Sequence, residues 1–268
     1  MWIDRRKFLK IAGISAIVGA GGKLGFELLA PGEVDASVKE IPLTKAKQWG
    51  MVVDMRKMTD DILKRCQTVC HQAHNVPDWG NKRLEVKWNW SETFEHTFPD
   101  HSNQYMSESL LEKNYFVLCN HCDNPPCCRV CPTKATFKRK TDGLVVQDPH
   151  RCIGCRFCLA ACPYGSRSFN WGDPRKAPEE LNPEFPTNPD YPTRTKGVVE
   201  KCTFCEERID KGKLPLCVEA ANAIKQDTMF FGDMDDHGSN VRRMLRKHYA
   251  IRRKPELGTG PNIFYIVE

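Results

Sequence analysis

The chain has 268 residues, 40% hydrophobic and 28% charged, an ordinary composition for a soluble globular protein with room for one large domain or two small ones. The formal net charge of +6 comes from Lys and Arg spread among Asp and Glu, which excludes a nucleic-acid-binding stripe. The departure from the ordinary is 14 cysteines, which in an exported protein would first be read as a disulfide framework, so their spacing has to decide.

In chain order, Asp4-Arg5-Arg6-Lys7-Phe8-Leu9-Lys10 precedes a mildly apolar, Gly-rich stretch from Ile11 to about Ala30. Paired arginines before a small-residue-rich apolar region predict a twin-arginine signal over 1–36, cleaved near Val34-Asp35-Ala36 or retained as an anchor. Asp4 stands where Ser or Thr is usual, and Lys23, Glu27 and the interspersed glycines make a poor membrane-spanning helix. This route exports folded proteins, which suits a cofactor inserted before export better than disulfides. The segment thus predicts the exported, extracytoplasmic face of the cytoplasmic membrane.

Beyond a linker to about Glu40, Trp49–Asp54 reads as a short buried strand, and Thr59–His74 has helical spacing with Ile62, Leu63, Cys66, Val69 and Cys70 to one side. Leu84–Trp90 alternates and predicts a half-exposed strand; Tyr115–Leu118 predicts another, leading into the first dense cysteine group. Residues 173–196 are rich in Pro, Asn and Thr and predict an irregular connection. The tail from Arg252 ends in an apolar, strand-like run; its basic, Gly- and Pro-bearing part predicts surface coil or a docking segment.

Two cysteine groups are nearly complete. Cys152-Ile-Gly-Cys155-Arg-Phe-Cys158-Leu-Ala-Ala-Cys162-Pro163 is the bacterial ferredoxin run C-x2-C-x2-C-x3-C-P, and Cys119-x2-Cys122-x4-Cys127-x3-Cys131-Pro132 is a close variant. Two-residue gaps let three thiolates curl around three corners of a [4Fe–4S] cubane, while the fourth cysteine ligates the neighbouring cluster. Crossing the runs in this way predicts cluster A on Cys119, Cys122, Cys127 and Cys162, and cluster B on Cys152, Cys155, Cys158 and Cys131. Cys127 fits the x3 gap to Cys131, which leaves Cys128 as a small core residue. Zinc also takes paired CxxC units, but the third cysteine at short spacing and the CP endings favour clusters.

Two further groups are incomplete. Cys66-x3-Cys70 holds the third and fourth positions of such a run, but Met58, Asp60 and Leu63 stand where earlier cysteines would be sought. Cys202-x2-Cys205-x11-Cys217 holds the first three positions, with Ala221 and Asn222 in place of Cys-Pro. Crossing these two gives one complete set, cluster C on Cys202, Cys205, Cys217 and Cys70, and an opposite set from which only Cys66 survives. The prediction is three [4Fe–4S] clusters on twelve cysteines, which are also the metal ligands, with Cys66 and Cys128 unassigned. Three clusters at roughly −2 each would bring the formal charge near zero. His71, His121 and His150 stand near these cysteines and could tune a potential; otherwise they are supporting or surface residues. Trp88, Trp90, Phe137 and Trp171 read as core or interface aromatics. No catalytic triad, P-loop or dinucleotide fingerprint is present, so no catalytic residues are predicted.

The fold class these readings predict is α+β: tandem bacterial-ferredoxin-like cluster-binding folds with short strands and irregular loops. Residues 37–114 with 197–235 would form an outer half that keeps one cluster and has lost one. Residues 115–172 would form an inner two-cluster half, 173–196 the Pro-rich connection and 236–268 a C-terminal extension.

CNHCDNPPC at Cys119–Cys127, PTKATFKR at Pro132–Arg139, HRCIGCRFCLAACPYGSRSFNW at His150–Trp171, NPDYPTRTKGVVEKCTFC at Asn188–Cys205 and IRRKPELGTGP at Ile251–Pro261 carry a resemblance over nearly the whole chain. With its leader, the chain resembles the exported NrfC/PsrB-like ferredoxin subunits that accompany NrfD-type membrane quinone proteins. Among them it is most similar to the iron–sulfur subunits of Dsr-type (Hdr-like menaquinol oxidoreductase) complexes of sulfite and sulfate metabolism. The resemblance implies a non-catalytic relay subunit, peripheral or anchored. Electrons would pass between an integral quinone-binding subunit and a multihaem cytochrome c or other redox subunit. The runner-up is a relay subunit of a molybdopterin reductase for polysulfide, nitrite or a similar acceptor. From another class, a disulfide- or zinc-stabilised interaction module is the competitor.

Overall fold

The computed structural model describes residues 46–267, so the expected twin-arginine segment lies outside the described residues. Short helices, small strands and irregular loops make the chain α+β, as the sequence predicts. Strand β1 (Trp49–Asp54) is buried along its whole length, which is why it reads as a continuous apolar run rather than an alternating one. It is the centre of a three-stranded sheet.

Helix α1 (Asp60–Ala73) starts at Thr59, whose side chain accepts from the Ile62 N–H, with Asp60 and Asp61 in the first turn against the positive helix end. It buries Ile62, Leu63, Cys66 and Cys70 on one face. Strand β2 (Asn89–Glu92) pairs antiparallel with β3 (Tyr115–Leu118). The strand expected over Leu84–Trp90 begins only at Asn89. The alternation does bury Val86, Trp88 and Trp90. The backbone before Asn89 bonds elsewhere: the Leu84 N–H closes a turn on the Asn81 carbonyl, and the N–H groups of Lys87 and Trp88 go to Ser168 Oγ and His71 Nε2.

Two ribbons frame the dense cysteine groups. β4 (Thr136–Lys138) pairs with β5 (Val145–Gln147), and β6 (Ser168–Phe169) with β7 (Val199–Glu200). Residues 173–196 are irregular apart from one 3-10 turn at Pro174–Lys176. Helix α2 (Leu216–Ile224) packs on α1 and buries Cys217, Val218 and Ala221. Asn222 turns the chain after it, accepting from the N–H groups of Thr228 and Met229 and donating to the Met229 carbonyl.

The chain then returns as β8 (Met229–Asp233), antiparallel to β1 with Met51 opposite Phe231. Helix α3 (Asn240–Lys247), capped by Ser239, sets Val241 in one apolar cluster with Val52 and Ile266. The tail is not surface coil: β9 (Ile263–Ile266) pairs parallel to β1, and Arg253, Thr259 and Asn262 are buried. Among the described residues no helix is long and apolar enough to cross a membrane.

Candidate metal centres

All fourteen cysteines are free thiols, and twelve gather in three groups of four. Cys119 follows β3, Cys122 lies in the next loop, Cys127 sits in the one-turn helix Pro126–Arg129, and Cys162 ends the short helix Phe157–Ala161. These four line one small cavity with Pro125, Pro126, Tyr164 and Arg167. Cys131, Cys152, Cys155 and Cys158 line a second with Thr136 and Gln147. Gly154 makes this second loop possible: at φ +70° a Cβ there would lie 2.2 Å from the Gly197 carbonyl oxygen.

The third group joins α1, through Cys70, to the turn holding Cys202 and Cys205 and to Cys217 on α2. Burial, then the thiols of Cys205, Cys202 and Cys217, hold Cys70 well above the ordinary thiol range. Cys202 and Cys205 are presented by a strained turn in which Phe204 and Cys205 both adopt left-handed backbone, at φ 60° and 56°. Backbone N–H groups point at sulfur in two of the groups: Thr136 to Cys131 at 3.4 Å, Val199 to Cys152 at 3.5 Å, Phe204 to Cys202 at 3.4 Å and Leu216 to Cys205 at 3.5 Å.

The groups adjoin in a fixed order. Cys202 of the third group feels Cys119 of the first as well as its own burial, and is pushed up to about 12. Cys127 of the first group and Cys152 of the second both raise Cys158, whose main shift comes from burial. The Cys119 group is therefore the middle one. Exposure runs along the same line. All four cysteines of the Cys70 group are buried, as are Cys119, Cys122 and Cys127, whereas in the Cys152 group only Cys158 is.

The two unassigned cysteines stand apart from these cavities. Cys128 is half-buried beside the Cys119 cavity, and its thiol donates toward Cys127 and draws that group down. Cys66 is wholly buried, and its thiol donates to the Cys217 carbonyl at 3.3 Å. Met58, Ile62, Leu63, Ala221 and Met229 belong to the same extended apolar core as Cys66.

Of the three histidines near the runs, none takes the same part. His121 is buried between two groups: Nε2 donates to the Cys202 carbonyl, Nδ1 accepts from the Val145 N–H, and the ring stacks on Phe204 at 3.8 Å. Burial first, then the neighbouring Lys201 charge, keeps it neutral. His71 accepts from the Trp88 N–H and is pushed down to about 4 by burial, and His150 is exposed. Trp88 is core, its indole N–H donating to Glu200 at 2.8 Å, while Phe137 and Trp171 are exposed.

Sequence reasoning missed three polar residues. His74, four residues after Cys70, lies 3.6 Å from that sulfur through Nδ1, and its Nε2 meets Glu207 Oε1 at 3.1 Å. Ligand atoms of His74, Cys205 and Glu207 lie within 4.8 Å of one another, a second donor set that overlaps the Cys70 group. The i+4 helical spacing from Cys70 was the available signal for His74. Lys201 and Arg167 are buried cations with no short-range sequence signal. Lys201 Nζ donates to the carbonyls of Val145 and Cys202. Arg167 carries a buried Nη2 with no hydrogen-bond partner among the described residues. Four convergent thiols, N–H groups directed at sulfur and the buried cations Arg167 and Lys201 suit an anionic iron–sulfur cluster held by thiolates.

Residues 113–178 match the 4Fe-4S dicluster domain family. The chain is 37% identical to the Hdr-like menaquinol oxidoreductase iron-sulfur subunit 1 of Archaeoglobus fulgidus, over 98% of this chain and 97% of that protein. It is 34% identical to the menaquinone reductase iron-sulfur cluster-binding subunit of Nitratidesulfovibrio vulgaris, covering 82% and 88% of the two chains. It is 36% identical to the arsenate respiratory reductase iron-sulfur subunit of a Shewanella species, covering 81% and 95%.

Proposed function

This chain belongs to the family of 4Fe-4S electron-transfer subunits to which these relatives belong, and from that premise we propose that it relays electrons through three [4Fe–4S] clusters in a menaquinol-linked membrane complex. The single observation that supports the count is the gathering of twelve cysteines into three adjoining groups of four. In this reading Cys119, Cys122, Cys127 and Cys162 hold one cluster, Cys131, Cys152, Cys155 and Cys158 the second, and Cys70, Cys202, Cys205 and Cys217 the third. A bound cluster supplies one reversible electron at a potential somewhere between about −700 and +450 mV. The protein's part is to hold, space and shield these groups, with no substrate chemistry of its own.

The Cys152 end is the more open of the two to a partner. Ile153 and Phe157 are 66% and 58% exposed beside its ligands, and Arg151 and Arg156 stand at their edge. One partner would be an integral, NrfD-like quinone-binding subunit and the other a multihaem cytochrome c or similar redox subunit, in a complex linked to sulfite or sulfate metabolism. The twin-arginine leader would bring the loaded protein to the outer face of the cytoplasmic membrane. A second reading, the relay subunit of a terminal reductase, is favoured by the similarity to the arsenate respiratory reductase iron-sulfur subunit.

Protein purified without oxygen is expected to carry about twelve iron and about twelve acid-labile sulfide per chain, and to give paramagnetic cluster signals on reduction. About sixteen iron overturns the three-cluster count. A colourless protein with zinc and no sulfide overturns the relay.

A further inference from the structure

Among the described residues three arginines are buried with their charge, and they are accommodated differently: Arg253, 4% exposed, donates through Nε to the Thr97 carbonyl at 3.3 Å and lies over the Tyr164 ring. Arg194 pairs with the Glu200 carboxylate, both residues being more than nine-tenths buried. Arg167 is 6% exposed and has no carboxylate partner among the described residues. Its Nη1 donates to two neutral oxygens, Thr136 Oγ1 at 3.1 Å and Gln147 Oε1 at 3.1 Å. Its Nη2 is buried with no hydrogen-bond partner among the described residues. Burying a guanidinium is costly, and an anion set against it offsets that cost.

The surroundings identify that anion. Arg167 lines the cavity of Cys119, Cys122, Cys127 and Cys162. Its side chain also contacts both Cys127 and Cys158, one ligand from each of two adjoining groups. Thr136 and Gln147, which hold Nη1, line the cavity of the second group. The chain reaches this position through the turn after Cys162-Pro163, where Gly165 has φ +64°. The Lys201 ammonium, between the middle and the Cys70 groups, differs because backbone carbonyls take its protons.

We propose that Arg167 is a shared positioning residue for two clusters, its fork donating to ligand sulfur on both sides and raising both reduction potentials together. The inference rests on the relay reading. With a cluster held on either side, the Arg167 guanidinium would meet the negative charge added by one electron from a chemical reductant, with no proton transferred and no bond broken. A cation and hydrogen bonds at sulfur favour the reduced form, so both potentials stand higher than they would without Arg167.

The test is an EPR-monitored redox titration of the holoprotein, with iron counted in each sample. Arg167→Gln is expected to keep its iron and to lower two of the three potentials, each by about tenfold or more in the reduction equilibrium, which is about 59 mV per tenfold. The third, on Cys70, Cys202, Cys205 and Cys217, stays in place. Arg167→Lys keeps the charge but not the fork, so one potential of the pair falls, and by less. It decides the matter if Arg167→Gln loses iron. A shift in only one cluster of Arg167→Gln, an equal shift in all three, or no shift in either variant overturns the proposal. Wild-type protein without titrating clusters would instead overturn the relay reading itself.

Discussion

Cys66 and Cys70 stand four residues apart on the same face of α1, both buried, yet they are expected to respond oppositely to removal. Cys66 makes one hydrogen bond, to the Cys217 carbonyl, within an apolar cluster that includes Met58, Ile62, Leu63 and Ala221. Cys66→Ala removes that bond, about 0.5–1.5 kcal/mol, and empties a site of roughly one methylene, about 0.8 kcal/mol plus a small cavity term. The sum is about 1–3 kcal/mol, a drop in melting temperature of about 2–4 °C for each kcal/mol at this chain length. Iron content is unchanged.

Cys70→Ala instead leaves Cys202, Cys205 and Cys217 without their fourth partner. About four of about twelve iron are expected to leave with it. Stability falls much further, because the binding energy of a structural metal group is also folding energy. Iron and sulfide analysis of both variants, alongside thermal unfolding, is the assay. Loss of iron from Cys66→Ala, or equal loss from the two variants, refutes the assignment of Cys70 to one group and of Cys66 to none.

Gly154→Ala forces a Cβ to within 2.2 Å of the Gly197 carbonyl oxygen from left-handed backbone, so it should cost the Cys152 group its iron and leave the other two signals intact; EPR of the reduced variant checks this. Glu200→Ala strands the buried Arg194 guanidinium and the Trp88 indole N–H, and chemical denaturation should report about 3–5 kcal/mol of destabilisation, less if Arg194→Met is added. Ile153→Ser with Phe157→Ser changes two exposed side chains; iron and melting temperature should stay at wild-type values while electron exchange with the partner slows, as stopped-flow absorbance would record. Asn222→Ala breaks three hydrogen bonds that close the turn into β8 and is expected to destabilise by about 1–3 kcal/mol in the same denaturation assay.

Local chemistry is what the sequence exposes, and the groups of four follow from it. The x2 and x3 gaps, Gly154 and the CP endings are constraints within a dozen residues, so the crossed sets could be written down from spacing alone. Strand β1 and helix α1 were readable for the same reason, a continuous apolar run and a capped, periodic face. Leu84–Trp88 deceived because alternation reports which side chains are buried, not which partner takes the backbone N–H groups; here Ser168 and His71 take them. The tail deceived because its value lies in distant pairings. Asn262 donates to the His121 carbonyl, Thr259 and Gly260 accept from the loop at Asp123 and Asn124, and β9 closes the sheet on β1. Arg167 and Lys201 were invisible because a lone cation in a sequence carries no sign of being buried.

The ends of the line of cysteine groups are not equivalent, and the difference bears on how partners engage it. At the Cys152 end, ligand cysteines are themselves half-exposed and flanked by exposed apolar side chains, so a partner's cofactor can come close without any rearrangement. At the Cys70 end all four cysteines are buried, and the Cys66 side is closed by packed hydrocarbon between α1 and α2. In the relay reading a route out there would run through polar atoms instead. His74 touches Cys70 through Nδ1 and Glu207 through Nε2, and the Glu207 side chain is 32% exposed. His74 also stacks on Trp88 at 4.6 Å and meets the Tyr191 ring edge-on at 4.8 Å, so its ring is fixed in that orientation. One end therefore offers an apolar contact with basic edges, the other a carboxylate leading through a fixed imidazole. Two partners of different surface chemistry can be told apart by such ends, which is what a relay between unlike redox proteins needs.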